Sequence, residues 1–185
     1  LLAGVVRAQA LLLIFGYQAL AWVYSATPFR LKRFPLIATL TASFASFLIL
    51  ATGYLAVSEL QSLKAFPLPL LLFLIVSFTI ALPLKDFKDI AGDKHDGVYT
   101  LPVILGELWA KRVLGLLVFI LFVLSPFILN ASSLYVPALL FGSTAFWIIQ
   151  SGTAKPTAFF RYARFSLFFF LLVFCYGLFI ALHLS

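Results

Sequence analysis

Six long apolar runs, separated by short polar connections, decide what this chain can fold into. They extend approximately from Leu1 to Tyr24, Phe34 to Val57, Phe66 to Leu84, Val113 to Leu129, Leu134 to Ile149 and Phe165 to Leu182. Each approaches the roughly 20 residues with which an α-helix crosses the hydrocarbon core of a bilayer. Inside such a core every backbone N–H and C=O must be paired within the protein, and runs of this length meet that demand as helices. The expected fold is therefore all-α: a polytopic transmembrane helix bundle forming a single membrane domain over residues 1–185.

Composition leaves little room for a soluble alternative. Hydrophobic residues make up 64% of the chain and charged residues 10%. With 22 Phe, the apolar surface exceeds what one water-soluble core of this size would enclose, so much of it should face lipid. The fifth run carries Pro137, Gly142, Ser143 and Thr144, which are tolerated in a span whose neighbours resatisfy the backbone. The Phe168-Phe169-Phe170 run reads as packing and lipid-facing surface. Cys175, the single cysteine, excludes a disulfide framework within one chain and is expected to be a small buried hydrophobe.

The charges set an orientation. Eleven of the 13 basic residues fall in the first, third and fifth connections: Arg30, Lys32 and Arg33; Lys85, Lys88, Lys94, Lys111 and Arg112; Lys155, Arg161 and Arg164. The opposite side receives Lys64, and Arg7 lies where its stem can snorkel outward. Retention of Lys and Arg on the cytoplasmic side makes these three connections cytoplasmic in a multi-pass protein of the cell membrane. The net charge of +7 comes from short clusters between apolar runs, not from a soluble basic face, which argues against nucleic acid as a partner. The chain starts at Leu1 without a cleavable leader pattern and contains no Met, so it is expected to be a fragment of a larger protein.

Chemistry concentrates in the third connection, Leu84-Lys85-Asp86-Phe87-Lys88-Asp89-Ile90-Ala91-Gly92-Asp93-Lys94-His95-Asp96-Gly97, which holds four of the six acidic residues. If the preceding helix runs on through this stretch, a rotation of about 100° per residue places all four carboxylates within an arc of roughly 80°. Carboxylates gathered beside a membrane repel one another unless a cation neutralises them. Mg²⁺ suits such a place because it binds through one or two carboxylates together with water and substrate phosphate oxygens. Lys85, Lys88 and Lys94, with Arg30, Lys32 and Arg33 from another connection on the same side, would take the remaining phosphate charge. The alternative is a solvated loop of mixed charge. His95 could shuttle a proton there, but with no second histidine nearby it reads as a solvated loop residue, and Gly92, Gly97 and Gly106 read as backbone punctuation, not as a phosphate-cradling loop.

The string from Lys85 to Asp93, followed by Gly97-Val98-Tyr99-Thr100-Leu101-Pro102-Val103-Ile104-Leu105-Gly106, closely resembles the second aspartate-rich motif of the UbiA superfamily of intramembrane prenyltransferases. Tyr24-Ser25-Ala26-Thr27-Pro28-Phe29-Arg30-Leu31-Lys32-Arg33 resembles that family's segment between its fourth and fifth helices. The resemblance implies nine transmembrane helices around a central cavity, of which the six runs here would be helices four to nine. It implies Mg²⁺-dependent transfer of a prenyl group from an isoprenoid diphosphate to a hydrophobic acceptor, aromatic or lipid, in the membrane. Asp86, Asp89 and Asp93 would be the catalytic and metal-holding residues. Tyr24, Arg30, Lys32, Arg33 and Lys85 would bind substrate, although Tyr24 also fits an aromatic interface anchor and the basic cluster a topology or lipid-headgroup signal.

The family's first aspartate motif has no counterpart, because the other acids are the isolated Glu59 and Glu107. The piece is accordingly expected to hold half of a catalytic site and to be inactive alone. Two other readings compete. A cation channel or transporter would place acids inside the spans, which contain none. A catalytically silent family member would lack the first motif throughout.

Overall fold

The computed structural model describes residues 8–57, 63–66, 68–151 and 159–184. Arg7, Glu59 and Lys155 lie outside the described residues, as do the side chains of Arg161, Arg164 and His183. All regular structure among the described residues is helical. Five helical stretches are long and apolar enough to cross a membrane: Ala8–Ser25, Pro35–Ala56, Leu68–Lys88, Glu107–Ile128 and Ser132–Ser151. The sixth predicted run corresponds to the apolar stretch Leu167–Ile180.

The chain divides into two compact units, Leu1–Leu82 with Gly97–Tyr99, and Pro83–Asp96 with Thr100–Ser185. In the first, α1 (Ala8–Ser25) packs on α2 (Pro35–Val57), which also packs on α3 (Leu68–Ala81). Ala10, Phe47, Leu48, Ala51 and Leu55 form its buried core. Apolar side chains gain little by leaving lipid for one another, so close packing and polar pairing must hold such helices together. Polar pairing is visible where Thr79 Oγ1 of α3 lies 2.9 Å from Ser43 Oγ of α2, its one proton shared between that oxygen and the Ile75 carbonyl at 2.8 Å. Ser43 Oγ donates its own proton to the Thr39 carbonyl at 2.7 Å, so the buried hydroxyl is bonded within α2 and faces Thr79 across the helix pair.

The second unit begins at Pro83, within a 3₁₀ turn that extends over Leu82–Lys88. Two short helices follow, α4 (Ile90–His95) and α5 (Leu101–Leu105), then the long α6 (Glu107–Ile128), α7 (Tyr135–Ser151) and α8 (Phe159–Leu184). Helix α6 starts at Glu107, six residues before the apolar run does, because Glu107 and Lys111 pair one turn apart and carry the helix through a stretch that hydropathy reads as a loop. Its buried stripe, Ala110, Leu114, Val118 and Phe122, recurs every four residues. The facing stripe on α7 is Ala138, Gly142, Ala145 and Ile149, whose small members let the two backbones approach. Cys175 is exposed on α8, contrary to its expected burial. It is a surface position of a helix whose apolar exterior suits lipid as well as core.

Pro126 lies inside α6 and cannot donate to the carbonyl of Phe122 four residues back. Ser125 Oγ fills that vacancy, donating to Phe122 O at 2.7 Å. Its single proton being spent there, the buried contact between Ser125 Oγ and Tyr176 Oη from α8 must have Tyr176 as donor. Replacing Ser125 by Ala therefore orphans two groups and is expected to cost about 1–3 kcal/mol, whereas Tyr176→Phe leaves Ser125 still bonded and should cost about 1 kcal/mol. Thermal unfolding in detergent ranks the pair, and a larger loss for Tyr176→Phe would overturn the donor assignment. Helix α6 then closes on Asn130 in the left-handed conformation (φ 52), with Ala131 N–H bonding Pro126 O and Asn130 N–H bonding Phe127 O.

Candidate functional site

The acidic stretch does not continue α3. Pro83 has no N–H for the carbonyl four residues back and restricts Leu82 before it, so the helix tightens to 3₁₀ from Leu82. It then breaks at Asp89 (φ −112°, ψ 10°), from which α4 starts. The single carboxylate face expected of an unbroken helix is therefore not formed. What replaces it is graded by depth: Asp86 and Asp93 are half-buried, whereas Asp89 and Asp96 are exposed.

Each carboxylate has its own surroundings. Asp86 follows exposed Lys85 on the 3₁₀ turn, whose inner side is formed by buried Pro83, Leu84 and Phe87. Asp89 lies 3.8 Å from the Lys88 ammonium, both side chains more than half exposed, a pairing that solvent weakens to little net stability. Its side chain caps no α4 N–H, although its position would allow it. Asp93 accepts a hydrogen bond from Thr100 Oγ1 at 3.2 Å. Asp96 ends α4, its backbone N–H bonding Gly92 O, with Gly97 behind it at φ +66. Asp96 Oδ1 also meets His95 Nδ1 at 3.1 Å in full solvent, which makes both turn and surface residues.

Of the other residues singled out from sequence, Tyr24 is half-buried in the last turn of α1. Arg30 is half-buried in the left-handed conformation (φ 44°), and Lys32 and Arg33 are exposed on the 3₁₀ turn Leu31–Arg33. A hollow of about 110 Å³ lined by Ile14, Tyr17, Ile49 and Thr52 lies between α1 and α2. It contains no charged group and suits hydrocarbon better than diphosphate.

Among the described residues no three His, Cys, Asp or Glu side chains converge into a ready-made metal cage. The donors that are present are hard carboxylate oxygens. Such a set fits Mg²⁺, which takes one or two protein carboxylates and completes its shell with water and phosphate oxygens, and does not fit a cation that needs an all-protein cage.

Sequence reasoning missed the support beneath the turn. Glu107, read as isolated, is ion-paired with Lys111, and the Lys111 ammonium lies 6.0 Å from the centroid of the Phe87 ring. The four-residue spacing of Glu107 and Lys111 was the available signal.

Fold and site together define a class: an all-helical, multi-span membrane protein with an acid-rich turn at the end of a span. The chain belongs to the UbiA prenyltransferase family, whose sequence profile matches residues 1–173. Membership makes it a membrane prenyltransferase in general terms. No curated protein and no solved structure matches the chain.

Proposed function

We propose that the protein transfers an isoprenoid group from an allylic diphosphate to an aromatic or lipid acceptor within the membrane, with Mg²⁺ and with the Asp86–Asp93 turn on the cytoplasmic side. The observation that carries this reading is the chemistry of the turn. Two half-buried carboxylates and one exposed carboxylate, among the exposed cations Lys85 and Lys88, stand at the end of an apolar span.

In the reaction the allylic C–O bond breaks and its electron pair leaves with the diphosphate. The acceptor supplies the electron pair of the new bond and loses a proton. When bound, Mg²⁺ neutralises the diphosphate and the charge that grows on it as the bond breaks. Asp86, Asp89 and Asp93 would hold the cation, and Lys85 would bind a diphosphate oxygen. The apolar helices exclude water from the allylic cation. Tyr24, Arg30, Lys32 and Arg33 are assigned to substrate binding through the resemblance of their segment to the family's.

The test is transfer of radiolabelled prenyl diphosphates of several chain lengths by the full-length protein in nanodiscs, offered aromatic and lipid acceptors with Mg²⁺ or with EDTA. Product that requires Mg²⁺ is expected. Transfer that persists at full rate in EDTA would remove the metal from the proposal, and no transfer with any pair would favour a silent family member.

A further inference from the structure

Asp86 sits on a segment that should not hold its shape unaided. A 3₁₀ turn closes with i to i+3 bonds of poor geometry, and runs longer than three or four residues are uncommon. This one extends over seven, Leu82–Lys88, and its polar members Lys85 and Lys88 are exposed. The side chain next to Asp86 points the other way: Phe87 is 3% exposed. Over its ring stands the ammonium of Lys111 at 6.0 Å, within the range in which a cation is drawn to an aromatic face.

Lys111 is itself an unusual residue to find there. It is 8% exposed and lies inside a stretch apolar enough to span a membrane, where a charge without a partner would be costly. Glu107, one helical turn earlier, is that partner. The backbone at Lys111 is fastened as well, because Gln150 Nε2 of α7 donates to its carbonyl at 2.9 Å. Gly115 makes room for this, since a Cβ there would stand 2.7 Å from the same Nε2. A line of contacts thus runs from α7 through Lys111 to Phe87, the neighbour of Asp86. Asp93 is tied separately, by Thr100 at the start of α5.

We infer that Phe87, Lys111 and Glu107 form a latch that sets the position of the Asp86 turn, so that they are positioning residues for the metal–diphosphate site. The inference rests on the proposed function for what the turn does, but not for whether the latch exists. Phe87 contributes the buried weight, Lys111 the directional contact and Glu107 the charge that lets Lys111 stay buried. An ion pair serving α6 alone would have no bearing on the turn.

Three variants in nanodiscs separate these possibilities. Glu107→Gln with Lys111→Met removes both charges at once and leaves none buried without a partner; Phe87→Leu keeps apolar bulk and removes the ring face; Lys111→Arg keeps cation, pair and ring contact. Hydrogen exchange of the 82–96 segment reads the turn directly, without need of activity. The Mg²⁺ concentration giving half-maximal transfer reads the site.

For the double variant and for Phe87→Leu, exchange at 82–96 is expected to quicken while α7 exchanges as in the parent. Half-saturating Mg²⁺ should rise about ten-fold, as on loss of groups that orient metal ligands. Lys111→Arg should leave both as in the parent. Parental exchange at 82–96 in the double variant and in Phe87→Leu overturns the latch, and quickened exchange with an unchanged Mg²⁺ requirement overturns its role in positioning the metal–diphosphate site. If the parent itself shows no transfer, the proposed function fails and the exchange data still decide whether Phe87 and Lys111 hold the turn. Should the double variant not fold, Phe87→Leu carries the same comparison.

Discussion

Asp86→Asn and Asp89→Asn are each expected to lower kcat/KM for prenyl transfer by about 10²–10³-fold, the loss seen when one group stabilising a transition-state charge is removed. The substitution keeps the size of the side chain and removes the negative charge that would hold a cation against the departing diphosphate. Asp89 makes no cap bond to α4 and its contact with Lys88 is solvent-exposed, so Asp89→Asn should leave the melting temperature where it was. Loss of activity there can then be assigned to chemistry and not to unfolding. Asp96→Asn is the internal control. The Asp96 backbone N–H closes the end of α4, and its exposed side chain touches only His95 among the described contacts, so transfer should stay within about three-fold of the parent, less than the ~1.4 kcal/mol that one decade represents. Equal losses at Asp86, Asp89 and Asp96 would point to a general electrostatic effect of the stretch. Parental activity in both Asp86→Asn and Asp89→Asn would remove the turn from the catalytic site.

A large effect on stability is expected at Gly142. A Cβ built there stands 3.0 Å from Phe122 Cβ and 3.2 Å from Phe119 Cδ2, with the Phe119 carbonyl at 3.5 Å. Phe122 cannot yield cheaply, because its ring packs edge-on against Tyr176 at 4.9 Å between centroids. Gly142→Leu must push α7 away from α6, and overpacking of a closely fitted interface costs about 1–3 kcal/mol, occasionally more. Gly177 on α8 has no atom within 4 Å of its notional Cβ and is exposed. Gly177→Leu should therefore be neutral or slightly stabilising through helix propensity. Unfolding of the two variants side by side in the same detergent tests the argument. Equal melting temperatures would mean that α6 and α7 are not held by close approach.

The amino-acid sequence by itself determined the solvent and the helical class, and it supplied the address proposed for the chemistry. Hydropathy is a sum over neighbours along the chain, and runs of about 20 apolar residues have one way to satisfy their backbone in lipid. The motif from Lys85 to Gly106 was equally legible, because the residues that carry it are contiguous. Only the tertiary structure decided which carboxylates are half-buried and which face solvent, since depth depends on segments far away in sequence. It also decided that α3 gives way at Leu82 and Pro83, so that no single face gathers the four acids. Glu107 looked isolated and Lys111 looked like a topology signal. Their pairing beneath Phe87 follows from helix α6 starting at Glu107, ahead of the apolar run, and from packing that brings the turn onto it. The same holds for Ser125, whose hydroxyl repairs the break that Pro126 makes and receives Tyr176 from 51 residues away. Hydropathy records whether a residue prefers lipid to water, and it carries no information about which distant side chain completes its hydrogen bonds or neutralises its charge.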